Sequence, residues 1–312
     1  MHASGDVLLE AQRIVRISRV VSDLDRAEGF YSAALGFRGV SRAPVDAVLL
    51  RALGAERTTA SEVVMRLGNE EIALVQFAAP GRPYAVNSRS NDLWFQHLAI
   101  VVSDMDAAYA RLSANGAWQP ISTGGPQTLP PSNGAVRAFK FRDPDGHPLE
   151  LLWLPPGRGR SVWHEPQRSA NAALFLGIDH SALSVASTRR SLAFYGSLGM
   201  LRAEQSTNRG PAQARLDGLA DARVRVTGLR PDSAAGPGLE LLAYRPPGRA
   251  IGPASITDLS TDWVTVAALP IRVRAATAVI APRAIADPDG HRLLFLDQGV
   301  GSAGPPASEP LT

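Results

Sequence analysis

The 312-residue chain contains no cysteine, which excludes disulfides, thiolate metal ligands and a cysteine nucleophile. Lysine is almost absent as well: of 32 basic side chains only Lys140 is a lysine. The pI of 9.7 therefore reflects the high pKa of arginine more than an excess of charge, because the net charge is only +3. The arginines are scattered, with no basic run and no basic stripe interleaved with aromatics, so nucleic-acid binding is not expected. No apolar run approaches the ~18 residues that a membrane span needs. The opening Met1-His2-Ala3-Ser4-Gly5-Asp6 lacks a basic region followed by an apolar one. A cytoplasmic location without membrane attachment is the default expectation. What is present is an ordinary globular composition, 45% hydrophobic, enough to bury a sizeable core in two domains.

An internal repeat organises the chain. Arg16 precedes Phe30-Tyr31 by fourteen residues and His180 precedes Phe194-Tyr195 by the same fourteen. Each Phe-Tyr is followed by a Leu-Gly, Leu35-Gly36 and Leu198-Gly199. Asp92-Leu93 stands five residues before His97, and Asp258-Leu259 five before Trp263. Asp143-Pro144-Asp145-Gly146-His147 leads into Leu149-Glu150-Leu151, and Asp287-Pro288-Asp289-Gly290-His291 into Leu293-Leu294-Phe295. Three copies end alike, in Pro80-Gly81-Arg82, Pro156-Gly157-Arg158 and Pro247-Gly248-Arg249. Four modules follow, spanning 12–82, 92–156, 176–248 and 258–298. The first two form a domain at 12–156 and the last two a domain at 176–298, with a linker at 157–175 and a flexible tail at 299–312.

Each module opens on an apolar, β-rich stretch, 15–21 in the first and 97–102 in the second. Ser22-Asp23 and Ser103-Asp104 then offer side-chain acceptors to the free amides of a helix start. Leu24, Ala27, Phe30, Tyr31 and Ala34 recur at helical spacing, as do Met105, Ala108, Tyr109 and Leu112. Hairpins are predicted at Val63–Leu67 with Ile72–Phe77 about Gly68-Asn69, and at Ala138–Phe141 with Leu149–Leu154 about the Asp-Pro-Asp-Gly turn. The fold class is α+β, with a strand, a helix and about three strands per module. A lone unit leaves one apolar sheet face uncovered, so units must pair, and a pair makes an open cup.

In the second and third modules the opening strand holds a histidine and the closing strand a glutamate, His97 with Glu150 and His180 with Glu240. The equivalents in the first and fourth are Arg16 with Ala73 and Trp263 with Leu294. This pattern, with the Ser-Asp helix start, Phe-Tyr…Leu-Gly and Asp-Pro-Asp-Gly-His-x-Leu-Glu, resembles the vicinal oxygen chelate superfamily over roughly residues 12–298. That group includes glyoxalase I, bleomycin-resistance proteins, methylmalonyl-CoA epimerase and extradiol dioxygenases. The resemblance implies tandem βαβββ modules in glyoxalase-like half-barrels. It also implies a divalent ion held at the His and Glu positions of two paired units, carried over here to His97, Glu150, His180 and Glu240. Consecutive pairing would give each cup only one His and one Glu, which hold a metal poorly. Pairing the second module with the third, and the first with the fourth, collects all four retained ligands in one cup, and this pairing is preferred.

Imidazoles and carboxylates suit Zn²⁺, Ni²⁺, Co²⁺, Mn²⁺ or Fe²⁺, with positions left open for two substrate oxygens. The expected chemistry is that of a lyase, isomerase or epimerase stabilising an enediolate of a small oxygenated substrate, with Glu150 or Glu240 as the catalytic base. The alternative is a metal-free protein binding an aromatic or drug-like molecule. Third comes an extradiol-type dioxygenase, which fits less well, because its triad as implied by the resemblance would be His180 with the positions held here by Trp263 and Leu294. The chain is expected to act as a monomer or homodimer. Simpler roles exist for the same residues: Glu150 and Glu240 could pair with arginine or face solvent, His147 and His291 read as turn residues, and Arg16 as an internal salt-bridge partner or an anion clamp. His164 lies in the connection between halves, where it could act as a lid. From Trp263 to Leu294 is 31 residues, against 53 from His97 to Glu150 and 60 from His180 to Glu240. With Pro270 and β-branched residues in Leu269–Thr277, the fourth module's helix is expected to be short or absent, leaving the first and fourth modules as scaffold or as a dimer surface.

Overall fold

The computed structural model describes residues 9–164, 173–231, 236–250, 254–270 and 281–297. The first module comprises β1 (Leu9–Val20), α1 (Leu24–Leu35), β2 (Arg38–Pro44), α2 (Ala47–Ala52), β3 (Ala60–Leu67) and β4 (Glu70–Phe77). The second comprises β5 (Gln96–Val102), α3 (Met105–Ser113), β6 (Gln119–Pro120), β7 (Gln127–Thr128), β8 (Arg137–Arg142) and β9 (Pro148–Trp153). The third holds β10 (Phe175–Ser184), α4 (Thr188–Ser197), β11 (Leu201–Arg209), α5 (Pro211–Asp217), β12 (Arg223–Arg230) and β13 (Gly238–Tyr244). In the fourth, β14 (Asp262–Pro270), β15 (Arg283–Ala286) and β16 (Arg292–Asp297) are described. The segment expected to lack a helix, Leu269–Thr277, begins inside β14, and its remainder lies outside the described residues. The helix starts fall where the Ser-Asp pairs predict. Asp23 accepts from the Arg26 amide, and Asp104 from the amides of Asp106 and Ala107. No helix among the described residues is long and apolar enough to cross a membrane.

Two curved sheets result. One has seven strands in the order β15-β16-β14-β1-β4-β3-β2; the other has nine, along β11-β12-β13-β10-β5-β9-β8-β6 with β7 attached to β8. The second module thus pairs with the third, through antiparallel β5 and β10, and the first with the fourth, through antiparallel β1 and β14. The halves 12–156 and 176–298 each supply one module to each sheet. One face of each sheet joins α1 and α3 in a common core that includes Ile17, Tyr31, Ile72, Ile100, Ile178 and Val264. The opposite faces are the cups.

The repeated motifs hold the four modules together. Tyr31 of the first module donates its hydroxyl hydrogen to Asp143 of the second at 3.0 Å, and Tyr195 of the third does the same to Asp287 of the fourth at 3.1 Å. The second aspartate of each turn reaches the neighbouring helix start. Asp145 accepts from the Ser22 amide and Arg26, and Asp289 from the Ala186 amide and Arg190. The Pro-Gly-Arg ends mark the other partnership. Arg249, closing the third module, pairs with Asp92 at the entry to the second, and Arg82, closing the first, pairs with Asp258 at the entry to the fourth, both at 2.7 Å. Glycine is required at these ends because a Cβ on Gly248 would collide with the Asn91 carbonyl, and one on Gly81 would stand 2.6 Å from the Asp258 amide.

Candidate metal centre

Strand register places the ligand candidates on one sheet face. In the nine-stranded sheet, Ala99 lies opposite His180 on one side and Glu150 on the other, and Ala182 lies opposite His97 and Glu240. Both alanines are fully buried, and their small side chains leave room above the sheet for the four polar groups around them. A strict two-residue period would turn Ile178 and His180 the same way. A register shift between them instead lets Ile178 enter the common core while His180 lines the cup.

His97, Glu150 and His180 are only 1%, 6% and 5% exposed. Glu150 Oε2 lies 2.9 Å from His97 Nε2 and 4.0 Å from His180 Nε2, and Glu240 Oε2 lies 3.4 Å from His180 Nε2. One ligand atom from each of His97, Glu150 and His180 falls within 4.8 Å of the other two, and no second cluster of this kind exists among the described residues. Glu240 stands against His180 but outside that trio, with about a quarter of its side chain exposed at 28%. Both carboxylates therefore pair with histidines inside the cup, Glu150 buried and Glu240 part-exposed to the cavity.

The site's electrostatics call for added positive charge. His180 Nδ1 meets Asp179 Oδ2 at 2.8 Å, an arrangement that fixes the ring and turns Nε2 toward the two glutamates. Neither Nε2 nor His97 Nδ1 has an aligned hydrogen-bond partner, although all three atoms are buried. Burial works against a charged His180, but Glu240 first and then Asp179 and Glu150 hold its pKa up at about 9. Burial, then the Lys140 charge, push His97 down to about 4. Burial would raise Glu150, yet Lys140 and then His97 hold it at about 2, while burial pushes Glu240 up. A proton on His180 thus balances a cluster whose imidazole and carboxylate atoms converge, and a divalent ion would meet the same need, releasing that proton as it binds. The donor set fits such an ion.

A cavity of about 840 Å³ opens over these residues, with Leu129, Leu152, Leu216, Val226 and Leu242 among its apolar walls. Lys140 pairs with Glu150 across β8 and β9, and its ammonium donates to Asp217 Oδ1 at 2.7 Å. Asp179, Asp217 and the neighbourhood of Lys140 were not foreseen from the sequence. The adjacency of Asp179 to His180 was the one visible signal, and alternation argues that neighbours on a strand point apart.

The other sheet repeats the register without the chemistry. Ser18 lies opposite Ala73 and Trp263, and Thr265 lies opposite Arg16 and Leu294, so the four replaced residues occupy equivalent places. Arg16 is held by Glu71 at 3.2 Å and Glu62 at 3.8 Å, the internal salt bridge rather than a free anion clamp. The cavity there is about 320 Å³. His147 Nδ1 meets Asp143 at 2.9 Å and His291 Nε2 meets the Ser184 carbonyl at 2.9 Å. Both rings are buried structural parts of their turns. His164 Nε2 meets the Arg158 carbonyl at 2.6 Å.

Two sheets, each built from a pair of modules, with a histidine–glutamate cluster under a cavity in one of them, have the fold of solved glyoxalase-like proteins. Residues 13–151 match the model of the Glyoxalase/Bleomycin resistance protein/Dioxygenase superfamily. Among solved structures, glyoxalase I from Zea mays is similar over 92% of each chain, with 15% identity and a TM-score of 0.58. A putative dioxygenase from Bacillus subtilis is similar over 94% of this chain and 87% of its own, with 13% identity and a TM-score of 0.53. Curated proteins give no match in sequence. Residues 13–151 thus carry the sequence of the glyoxalase/bleomycin resistance protein/dioxygenase superfamily, and the fold along most of the chain is that of glyoxalase-like structures.

Proposed function

We propose that this protein is a metal-dependent lyase, isomerase or epimerase that moves a proton next to a carbonyl in a small molecule carrying neighbouring oxygens. The observation that carries this reading is the place of Glu240, beside His180 yet outside the tight trio and open to the cavity. His97, Glu150 and His180 would hold the divalent ion. When bound, that ion supplies Lewis acidity to two neighbouring substrate oxygens. Glu150, kept ionised by Lys140, serves as a ligand and is too weak a base to take a carbon-bound proton. Glu240 is the better base: its carboxylate accepts the proton from the carbon beside the carbonyl and returns it to the adjacent carbon. Asp179 holds the His180 ring in place, and the apolar walls exclude water.

A second reading rests on the trio itself. Two histidines and one carboxylate are also the donor set of non-haem iron oxygenases, so ring cleavage of an aromatic diol is the runner-up. The trio is met here by His97, Glu150 and His180, so the losses at Trp263 and Leu294 do not count against it.

The test is metal content by mass spectrometry on untagged protein, beside His97→Ala and His180→Ala. About one divalent ion per chain, lost in both variants, is expected. No metal, or metal indifferent to both changes, overturns the reading and favours a metal-free binding protein. Iron together with cleavage of a catechol would select the second reading, and Glu240→Gln would then leave turnover largely intact.

A further inference from the structure

One of the three Pro-Gly-Arg ends does not join modules. Arg249 and Arg82 are clamped by Asp92 and Asp258, which stand five residues before His97 and Trp263. The matching aspartate for Arg158, the arginine that closes the second module, would stand five residues before His180, and Phe175 is there instead. Arg158 is turned to the metal-centre cavity, which it lines. The segment that carries it is fixed. Gly157 and Gly159 take φ of 81° and 71°, and a Cβ on Gly159 would stand 2.5 Å from the Leu154 side chain and 2.9 Å from that of Trp163. The Arg158 amide donates to the Pro155 carbonyl at 3.1 Å, and its own carbonyl meets His164 Nε2.

Arg160 and Arg230 line the same cavity. Arg160 is engaged, since it pairs with Glu70 and lies over the Trp163 ring, 5.1 Å from its centroid. Arg158 and Arg230 are held loosely. Among the described residues, the carboxylate that meets Arg158 is Glu204, at 3.5 Å, and the Glu204 side chain is 90% exposed; such a pair in water contributes little. Arg230 stands 3.9 Å from Asp179, beyond hydrogen-bond reach, and the other oxygen of Asp179 is taken by His180 Nδ1 at 2.8 Å. The Arg158 and Arg230 side chains are 46% and 36% exposed, so a ligand can reach both. They border one stretch of β11, Arg158 through Glu204 and Arg230 opposite Leu201. Exposed lining residues Ser132, Glu204 and Gln205 mark this end as the mouth.

The cavity is therefore graded, with imidazoles and carboxylates on its floor, leucines along its walls and two guanidiniums with donors to spare at its mouth. A guanidinium offers paired N–H donors that match the oxygens of a carboxylate or phosphate. We propose that Arg158 and Arg230 form a subsite for an anionic oxygen group, carboxylate or phosphate, at the far end of the substrate. The substrate class is then a small acid or phosphate ester with an apolar body, bearing neighbouring oxygens at its other end. Only that last clause rests on the metal reading above.

The test uses the full-length chain as purified, with the affinities of phenylacetate, phenyl phosphate and neutral phenylacetamide measured by ligand-observed NMR at low salt. At least one of the anions is expected to bind about tenfold more tightly than the amide, and the tighter of the two identifies the group. Arg158→Met and Arg230→Met should each reduce that ratio, and together bring it to about one, while phenylacetamide affinity stays unchanged. Glu204→Gln, which removes the competing carboxylate, should raise the ratio about twofold or more. Equal affinities for anion and amide in the wild type would overturn the subsite. So would an anion preference untouched by both arginine substitutions, since the anion would then sit on the metal centre or on another cation. An arginine-dependent preference in protein that carries no metal sinks the metal reading alone, and metal without an anion preference sinks the subsite alone.

Discussion

Replacing Asp143 with asparagine tests the network that joins the modules. Asp143 Oδ1 accepts from the amides of Asp145 and His147, each at 2.9 Å, and Oδ2 meets the Tyr31 hydroxyl at 3.0 Å and His147 Nδ1 at 2.9 Å. Burial alone would raise its pKa, but His147 first and then Arg19 hold it at about 2, against an ordinary 3.8. That depression corresponds to about 2 kcal/mol of stability. Because the folded value is the lower one, the stabilisation is fully present above the unfolded pKa near 3.8 and is lost as the pH falls through about 2. Asparagine keeps the shape and the two amide acceptances. It removes the charge and turns an NH₂ group toward Tyr31 and His147, both of which meet an acceptor in the native protein. The expected loss at neutral pH is about 2–4 kcal/mol, the excess over the ionic part coming from the hydrogen bonds left unmade. Urea unfolding followed by tryptophan fluorescence measures it. Over the interval from about pH 4 to pH 2 the gap between wild type and variant should close by about 2 kcal/mol. A gap under about 0.5 kcal/mol at neutral pH, or one that stays constant into acid, would refute the reasoning.

Gly248→Ala places a methyl group against the Asn91 carbonyl and the Asp92 amide; the seam between the second and third modules must open, with a loss of about 1–3 kcal/mol in urea unfolding. Lys140→Met leaves Asp217 charged and buried, so stability should fall by about 3–5 kcal/mol, and pairing it with Asp217→Leu should restore most of that. Under the metal reading, the combined changes Arg16→His, Ala73→Glu, Trp263→His and Leu294→Glu rebuild the lost ligands in equivalent register, and metal content should rise from about one to about two ions per chain. A folded variant still carrying one ion would show that the first cup cannot be restored by its ligands alone.

Much of the fold could be read from local pattern, because helix starts, hairpins and apolar periods are set by residues close in sequence. Asp23 and Asp104 cap the helices where short-range chemistry says they should, and the turn after Asp143 folds on its own amides. The short helix α5 was not read, although it brings Gln213, Leu216 and Asp217 into the cavity; seven residues opening on a proline give too little period to recognise. The motifs that revealed the repeat also carried the answer to which modules pair, since Arg249 seeks Asp92 and Arg82 seeks Asp258. Seen in one dimension, these are four scattered groups with nothing to match them.

That His97, Glu150, His180 and Glu240 stand at matching places in two modules, and Arg16, Ala73, Trp263 and Leu294 at the same places in the other two, was legible in the sequence alone. Spacing within a module depends on strands and turns a few residues long, and the repeat makes each copy a reference for the others. Tertiary structure alone decided that Glu240 stands apart from the trio, that Asp179 meets His180, and that a single lysine lies across from Glu150 and donates to Asp217. These depend on a register shift between Ile178 and His180 and on the meeting of β8 with α5 across 77 residues of chain. Contacts between distant segments follow from how whole sheets pack, and no local period encodes them.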